Sequence, residues 1–251
     1  MDSNNSSKKP SLAPVTSFED VQLPKYLKQE LYRRGFEKPT EIQSRSWPIA
    51  LAGKDLVGIA NTGSGKTLAY LLPGIVHAMQ QELVSPGESP IILILVPTRE
   101  LCIQVENDCR PFAMTCKMST LAVYGGDSRS EQLRSYERGI DIMVATPGRL
   151  IDFLTADDMN LNRVTYLVLD EADRMLDMGF EKSIKEICTK IRTDRQTLMF
   201  SATWPIEVQQ LAQNYCTEKP IEVKVGSSDL TVNNNISHVI NVVEESEKYS
   251  K

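Results

Sequence analysis

Seven short apolar runs recur along the chain, and their alternation with longer segments constrains the fold more than any other feature. Most neighbouring runs are separated by a stretch long enough to return across a sheet as a helix, for example residues 66–80 or 99–112. Residues 91–96 are apolar at every position, which is typical of a strand covered by helices on both faces. The pattern predicts an α/β domain with a parallel sheet and helices on both faces. The runs are residues 56–60, 91–96, 121–124, 142–145, 166–169, 198–200 and 221–225.

The composition limits what such a domain does. The chain has 251 residues, of which 41% are apolar and 24% charged, which is enough for one large domain with its own core. No apolar stretch approaches the roughly 20 residues that cross a bilayer, and residues 1–17 hold nothing that resembles a signal peptide. We therefore expect neither export nor a membrane partner. The net charge of −5 argues against a strong nonspecific grip on nucleic acid, so any such binding depends on local clusters of charge.

The cysteines carry no sign of a zinc site or of a disulfide framework. There are five of them, an odd number, and none belongs to a Cys-x-x-Cys pair. This pattern is typical of a reducing compartment, so we expect the protein to lie inside the cell. Cys102, Cys109 and Cys116 recur at the spacing of one helix face, which indicates the buried side of a helix.

The two ends of the chain differ in composition from its centre. Residues 1–17 are rich in Ser, Asn, Lys and Pro and predict a disordered arm. Residues 18–226 contain all seven apolar runs and predict the folded domain. It opens with a helix from about Leu23 to Gly35, and a second helix is expected after Thr40. Residues 227–251 are polar and end in Glu and Lys, which is typical of a linker.

A polar or glycine-rich segment directly follows six of the seven runs. Because all strands of a parallel sheet point the same way, these six segments meet at one edge of the sheet. That edge is the predicted functional site. The segments, in chain order, are ANTGSGKT, PTREL, GG, TPGRL, DEAD and SAT.

The first of these segments, residues 60–67, has the form of a phosphate-binding loop with Ala60 in place of the usual first glycine. Gly63 and Gly65 let the backbone wrap around a phosphate chain, and a helix that begins near Lys66 presents its positive end to it. We expect Lys66 to reach the β- and γ-phosphates of a nucleotide and the Thr67 hydroxyl to ligate Mg²⁺. The alternative is a Gly- and Ser-rich turn that happens to precede a lysine, and the order of strand, loop and helix disfavours it.

Asp170 and Glu171 follow the apolar run at 166–169, so both carboxylates lie at the mouth of a predicted buried strand. A metal–phosphate site needs one carboxylate that holds Mg²⁺, directly or through water, and a second that orients and deprotonates the attacking water. We assign Asp170 to the metal and Glu171 to the water. An Asp-Glu pair at a helix start also acts as a favourable N-terminal charge, and it is the phosphate loop that favours the catalytic interpretation.

Six motifs together point to a known family. They are GFxxPTxIQ at residues 35–43, AxTGSGKT at 60–67, PTREL at 97–101, TPGRL at 146–150, DEAD at 170–173 and SAT at 201–203. In this order and spacing, from about residue 18 to the C-terminus, the chain resembles the DEAD-box RNA helicases. The resemblance implies a RecA-like phosphate-loop domain that binds RNA and hydrolyses ATP with Mg²⁺. The sequence around DEAD and SATWP resembles the branch that works in ribosome assembly and nuclear RNA processing, which implies ribonucleoprotein partners and the nucleus or nucleolus rather than the cytoplasm.

The resemblance assigns the nucleotide base to the first motif. In the family, a glutamine that matches Gln43 reads the adenine edge and an aromatic residue that matches Phe18 stacks on the base. An amide both donates and accepts, so Gln43 can pair with N6 and N7 of adenine and matches guanine poorly. The remaining residues that this implies for the nucleotide are Phe36, Glu37, Lys38, Ala60, Asn61, Thr62, Gly63, Ser64, Gly65, Lys66 and Thr67.

Three further motifs match the family's contacts to the RNA backbone. Their backbone amides, hydroxyls and two guanidinium groups suit phosphate and ribose oxygens, and none of them resembles a set of side chains aimed at base edges. We expect RNA binding that is independent of sequence and sensitive to the 2′-hydroxyl. The matching residues are Pro97, Thr98, Arg99, Gly125, Gly126, Thr146, Pro147, Gly148 and Arg149.

Asp173, Ser201 and Thr203 match the elements that couple the nucleotide to RNA in the family. A carboxylate that accepts hydrogen bonds from two hydroxyls on a neighbouring strand end would form a network that responds to both sites. A purely structural cap is the alternative.

The family also has a second RecA-like domain, whose arginine-rich motif approaches the γ-phosphate, and no such motif follows Thr203. An arginine of this kind contributes about 10³ to 10⁵ in rate. We therefore interpret the chain as the first half of a helicase, with little activity alone. Two alternatives stay open. One is an RNA clamp that uses ATP only to close on RNA, and the other is a DNA translocase or another phosphate-loop NTPase, which GFxxPTxIQ and TPGRL disfavour.

Overall fold

A sheet of seven strands forms the centre of the protein in the computed structural model, which describes residues 12–82 and 84–226. All neighbouring strands are parallel, and their order across the sheet is β3-β4-β2-β5-β6-β1-β7. The predicted parallel α/β fold is therefore confirmed. The strands are β1 (Leu56–Ile59), β2 (Ile92–Leu95), β3 (Thr120–Val123), β4 (Ile142–Ala145), β5 (Tyr166–Leu169), β6 (Gln196–Ser201) and β7 (Ile221–Lys224).

The strands coincide with the predicted apolar runs to within two residues at each end. β6 differs most, because it begins at Gln196 rather than at residue 198. The Gln196 amide donates to the carbonyl oxygens of Ala50 and Lys54 at 2.9 and 2.8 Å, so this polar side chain is buried with its donors satisfied. Apolar content alone could not predict that extension, since a buried amide is tolerated only where such partners exist.

The helices connect the strands and cover both faces of the sheet. α1 begins directly after Pro24 and is followed by Gly35, whose φ of +81° is a conformation that favours glycine. α4 continues three residues beyond the predicted end at residue 112. The helices are α1 (Lys25–Arg33), α2 (Glu41–Leu51), α3 (Lys66–Ala78), α4 (Arg99–Thr115), α5 (Arg129–Glu137), α6 (Pro147–Thr155), α7 (Ala172–Asp177), α8 (Glu181–Thr189) and α9 (Ile206–Tyr215).

Two hydrophobic cores lie on opposite faces of the sheet. Side chains alternate between them along each central strand, so that Ile92 and Ile94 of β2 enter one core and Leu93 and Leu95 enter the other. The first core is completed by α1 to α4 and the second by α5 to α9. Burial on both faces explains why residues 91–96 are apolar at every position.

The N-terminal boundary of the fold lies earlier than the composition indicated. The composition predicts that the disordered arm includes residues 12–17, yet Val15 is hydrogen-bonded to α2. The Val15 N–H donates to the Ser44 carbonyl at 3.0 Å, and Ser44 Oγ donates to the Val15 carbonyl. The rest of the predicted arm, residues 1–11, and the predicted linker, residues 227–251, lie outside the described residues. Within the described part of the chain, no helix has both the length and the apolar character needed to cross a membrane.

Candidate functional site

The predicted site residues, apart from those of the base motif at residues 18–43, follow the carboxyl ends of six adjacent strands. β3, β4 and β2 lead into Gly125–Gly126, residues 146–149 and residues 97–99, while β5, β6 and β1 lead into the DEAD, SAT and phosphate-loop segments. The two groups meet where the Asp170 N–H, just after β5, donates to the Leu95 carbonyl of β2 at 3.0 Å. One half of the sheet edge therefore carries the predicted RNA residues, and the other half carries the predicted nucleotide residues.

The phosphate loop has the backbone that its glycines predict. Gly63 and Gly65 have φ values of +80° and +91°, and a Cβ added to Gly65 would lie 2.6 Å from Gln43 Nε2. Lys66 is 7% exposed and its Nζ donates to the Ala60 carbonyl at 3.2 Å. Among residues 12–82 and 84–226, Ser64 Oγ is buried without a hydrogen-bond partner. An orphaned hydroxyl beside a buried lysine suits the oxygens of a phosphate chain.

Asp170 lies at the buried end of β5, 3% exposed. Its Oδ2 accepts a hydrogen bond from the Tyr70 hydroxyl at 2.9 Å. Burial raises the pKa of Asp170, while the charge of Lys66 and the hydrogen bond from Tyr70 act in the opposite direction. A carboxylate held this way, with a cation nearby, has the chemistry of a Mg²⁺ ligand, and Thr67 lies one turn of α3 before Tyr70.

Tyr70 is a site residue that the sequence analysis missed. It is fully buried, and desolvation raises the pKa of its phenol well above the usual range, so it acts as a hydrogen-bond donor to Asp170. The sequence did contain a signal for this role, since Tyr70 is the one hydroxyl in the apolar stretch 68–73. A tyrosine that is buried needs a hydrogen-bond partner for its hydroxyl.

Glu171 has an unusual backbone conformation. Its φ and ψ of 53° and 51° are left-handed, a conformation that costs energy for a residue other than glycine. The Glu171 N–H donates to Asp170 Oδ1 at 2.9 Å, and its Oε2 accepts from Arg174 at 3.3 Å. The backbone turn therefore directs two consecutive carboxylates to different surroundings, one buried and one near solvent.

A cavity of about 330 Å³ joins these elements, a volume in the range of small-molecule sites. Phe36 and Gln43 line it together with five residues of the phosphate loop, Asp170 and Glu171. Glu37 and Lys38, the other two members of the predicted base segment, are not among the described residues that line it. Seven lining residues were not among the predicted site residues: Arg34, Thr40, Leu68, Leu101, Gln104, Asp108 and Phe112. Leu101, Gln104, Asp108 and Phe112 are spaced three or four residues apart in α4, so the sequence could have indicated that they share one face of that helix.

Gln43 lies where the base pocket meets the phosphate loop. Its Oε1 accepts from the Thr40 N–H and its Nε2 donates to the Gly65 carbonyl, both at 3.0 Å. One amide proton and one lone pair remain for a ligand. The side chain is 3% exposed, so it ties the start of α2 to the phosphate loop in addition to facing the cavity.

The structure does not place Phe18, the predicted stacking partner of the base, among the residues that line the cavity. Phe18 is 1% exposed, and its ring centre lies 5.5 Å from that of Tyr32 and 6.0 Å from that of Trp47. The Phe18 ring is therefore packed in the core that joins α1 and α2. Phe36, which is 39% exposed and lines the cavity, is the aromatic residue available to a base.

The predicted RNA residues lie together at one edge that carries two cations, of which Arg99 is exposed and Arg149 half-buried. Arg99 Nη1 donates to the Gly126 carbonyl and Arg149 Nη1 to the Asp127 carbonyl, both at 3.1 Å. Thr98 caps α4, since its side chain accepts from the Leu101 N–H, and Pro147 occupies the first turn of α6. The structure thus brings residues 97–99, 125–126 and 146–149 together, with two helix N-termini beside the arginines.

The predicted coupling residues also meet, but with one different contact. Thr203 donates to Asp173 Oδ2 from its hydroxyl at 2.8 Å and from its N–H at 2.9 Å. Ser201 Oγ accepts from the Asp173 N–H at 3.3 Å, so this hydroxyl contacts the backbone where a second bond to the carboxylate was expected. Partial burial raises the pKa of Asp173, but several hydrogen bonds, of which those from Thr203 are the largest, together lower the pKa below its ordinary value.

Comparison with known proteins agrees with this geometry. The chain is 55% identical over 235 residues to the ATP-dependent RNA helicase DBP2 of Candida glabrata, which covers 94% of this chain and 43% of the relative. It is 53% identical over 238 residues to the DEAD-box ATP-dependent RNA helicase 20 of Oryza sativa, which covers 95% of this chain and 48% of the relative. The chain thus spans about half the length of the curated relatives it matches.

Solved structures show the same fold. The RNA helicase Prp28 of Chaetomium thermophilum, bound to ADP, is 40% identical with a TM-score of 0.79 over 86% of this chain and 52% of that one. A DEAD box protein of Methanococcus jannaschii is 35% identical with a TM-score of 0.74 over 84% and 56%. A family model described as DEAD/DEAH box helicase matches residues 40–211. With its RecA-like sheet and its motifs at one edge of that sheet, the chain belongs to the DEAD/DEAH box helicase family.

Proposed function

We propose that this chain is the first RecA-like domain of an ATP-dependent RNA helicase. In this proposal it binds ATP with Mg²⁺ at the carboxyl ends of β5, β6 and β1, and the RNA backbone at those of β3, β4 and β2. The observation that carries the proposal is that both half-sites share one sheet edge and meet between β2 and β5. Neither half alone distinguishes a helicase from other phosphate-loop proteins.

The residues proposed to bind the nucleotide have different roles, which follow from their burial and their partners. Lys66 leaves the Ala60 carbonyl to neutralise phosphate oxygens, and Ser64 Oγ gains the partner that it otherwise lacks. Thr67 and Asp170 would hold Mg²⁺, which would supply positive charge to the phosphates. Tyr70 keeps the Asp170 carboxylate in position. Phe36 offers its exposed face to the base, and the free proton and lone pair of Gln43 match adenine.

Glu171 is the proposed general base. Its carboxylate accepts the proton of the water that attacks the γ-phosphorus, and ADP and phosphate are the products. Glu171 suits this role better than Asp170, because it lies nearer to solvent and is not bonded to a buried phenol. Arg174 donates to Glu171 Oε2 at 3.3 Å, which holds the carboxylate in place.

A second RecA-like domain is part of the proposal. Arg34, which lines the cavity, donates from Nε to Glu30 at 2.8 Å, and its guanidinium lies over the Phe112 ring. The charge that neutralises the γ-phosphate in the transition state is proposed to come from an arginine of the second domain, as the family resemblance implies. The similarity of DEADRMLDMGF and SATWP to nuclear members of the family leads us to propose ribonucleoprotein substrates in the nucleus or nucleolus.

The test uses the longer protein that joins this chain to a second RecA-like domain. Glu171→Gln should stop ATP hydrolysis, because the amide cannot accept the proton, yet ATP-dependent RNA retention should persist since the nucleotide contacts remain. Strand separation of a labelled RNA duplex should be lost with hydrolysis. Glu181→Gln, at the exposed start of α8, is the matched control and should behave as wild type.

Two outcomes would contradict the proposal. Hydrolysis at the wild-type rate in Glu171→Gln would remove the general base from this position. Duplex separation by residues 1–251 alone would show that the second domain is not needed.

A further inference from the structure

A carboxylate lies inside the proposed RNA edge. Asp127 directly follows Gly125 and Gly126 at the end of β3, and its side chain is exposed. Two hydrogen bonds hold it in place: the Tyr124 hydroxyl donates to Oδ2 at 2.9 Å and the Ser128 N–H donates to Oδ1 at 2.8 Å. The negative charge is therefore fixed on the surface that RNA phosphates are proposed to approach.

Both arginines of the edge converge on the same loop. Arg149 donates to the carbonyl of Asp127 itself, and Arg99 donates to that of Gly126. The Arg99 guanidinium also lies 5.1 Å from the centre of the Tyr124 ring, whose hydroxyl holds the carboxylate. The hydrogen bonds from Ser128 and Tyr124 lower the pKa of Asp127, and the charges of Arg99 and Arg149 lower it further, so the carboxylate is ionised at neutral pH.

Neither arginine pairs directly with the Asp127 carboxylate, and Arg149 also lies 3.9 Å from Asp152, but both cations contact the backbone of the loop that carries Asp127. The fixed carboxylate near them carries the same kind of charge as the RNA phosphates that they are proposed to bind. Carboxylate and phosphate oxygens are the same kind of acceptor for a guanidinium group. A phosphate that arrives at Arg99 or Arg149 meets a cation whose field is already partly neutralised, and it is repelled by the carboxylate as well. Both effects weaken RNA binding without removing any contact to RNA.

We propose that Asp127 is a built-in counter-ion that competes with RNA phosphates for Arg99 and Arg149 and so limits the affinity of this edge for RNA. The inference rests on the proposed binding of the RNA backbone at these arginines. In this proposal Asp127, which lies outside the motifs that match the family, lowers the affinity for RNA and favours the release of RNA.

The experiment measures binding of a fluorescent single-stranded oligouridylate to the chain of residues 1–251 by anisotropy, at low and at near-physiological salt. Asp127→Asn keeps the size of the side chain and removes its charge. We expect it to bind about three- to tenfold more tightly at low salt, with a smaller gain at higher salt because repulsion between exposed charges is screened. Asp194→Asn removes the same charge from an exposed Arg192 pair and should leave RNA affinity unchanged.

A second variant separates charge from loop conformation. Tyr124→Phe removes the hydroxyl that holds Asp127 but keeps the carboxylate, so it should not strengthen binding. If Tyr124→Phe strengthened binding as much as Asp127→Asn does, loop conformation would be the cause and the proposal would be wrong. Weaker RNA binding by Asp127→Asn would also overturn it and would make Asp127 an acceptor for the ribose 2′-hydroxyl.

Measuring RNA binding by Arg99→Ala and Arg149→Ala separates a failure of the counter-ion proposal from a failure of the proposed RNA site. If these two variants weaken RNA binding while Asp127→Asn has no effect, only the counter-ion proposal fails. If neither arginine variant changes RNA binding, the RNA edge itself is misassigned and both proposals fall together.

Discussion

The two halves of the sheet edge use charge in opposite ways. On the nucleotide half, Lys66 and Asp170 are almost completely buried, and each is held by a specific partner. On the RNA half, Arg99 and Arg149 are held by backbone carbonyls; Arg99 is exposed, and the Arg149 side chain is half-buried. Both halves are built from the same element, a strand that ends in a loop and a helix N-terminus. The burial of the charged groups differs between them, most clearly between Lys66 and Arg99.

That difference explains two kinds of recognition. A buried charge without its partner is costly, so the nucleotide half accepts only a ligand that satisfies its groups in place. Charges that are exposed to solvent are screened and can bind a phosphate in more than one position. That property suits the RNA backbone, which is the same at every nucleotide. A site for one small molecule and a site for a repeating polymer can thus share one sheet edge.

The largest expected effect lies on the buried half. Lys66→Ala should weaken binding of ADP with Mg²⁺ by about 2 kcal/mol or more, roughly thirtyfold, because a charge-assisted contact to phosphate is lost in a desolvated site. RNA affinity should change little. Calorimetry of ADP binding, with circular dichroism to check the fold, measures this. Lys54→Ala, which removes an exposed lysine paired with Glu218, is the control. Equal losses of nucleotide and RNA binding in Lys66→Ala would show that the halves are not separable.

The hydrogen-bond network next to the nucleotide half should contribute a smaller amount. Thr203→Val removes the hydroxyl bond to Asp173 and should lower the free energy of unfolding by about 1 kcal/mol at neutral pH. The folded state lowers the pKa of Asp173 below its ordinary value of 3.8, so this contribution is present above that pH. It is lost as the pH falls through the lower pKa of the folded state.

Urea unfolding of Thr203→Val and the wild type at neutral and acidic pH measures that difference. Thr155→Val, at the exposed end of α6, makes the same change of side chain without a carboxylate partner and should show no such pH dependence. A difference between Thr203→Val and the wild type that stays constant into acid would mean that Asp173 is not the partner responsible.

The smallest effects are expected on the exposed half. Arg99→Ala and Arg149→Ala should each weaken RNA binding about threefold and lower the slope of log affinity against log salt by about one unit, if each arginine neutralises one phosphate. ADP binding should stay as in the wild type. RNA titrations at several salt concentrations give the slope, and Arg192→Ala, far from this edge and paired with Asp194, is the control. Unchanged slopes in both variants would place RNA binding on another surface.

Local sequence patterns were sufficient to predict the strands and helices and the edge of the sheet that carries the site. β4 and β5 have the bounds that their apolar runs predict, and the phosphate loop has the left-handed glycines that its pattern requires. These features depend on residues close together in the chain, through side-chain periodicity, glycine conformation and helix capping. The direction of parallel strands then places all the segments that follow them at one edge.

Only the tertiary structure decided which of those segments are neighbours and which side chains remain free. The order β3-β4-β2-β5-β6-β1-β7 differs from the chain order, and it alone separates a nucleotide half from an RNA half. Phe18 and Phe36 are both aromatic residues near the first motif, yet packing against Tyr32 and Trp47 buries one and leaves the other in the cavity. Tyr70 and Asp170 meet across one hundred residues of chain. Burial and pairing of this kind depend on contacts between distant segments, and no local pattern specifies where those segments meet.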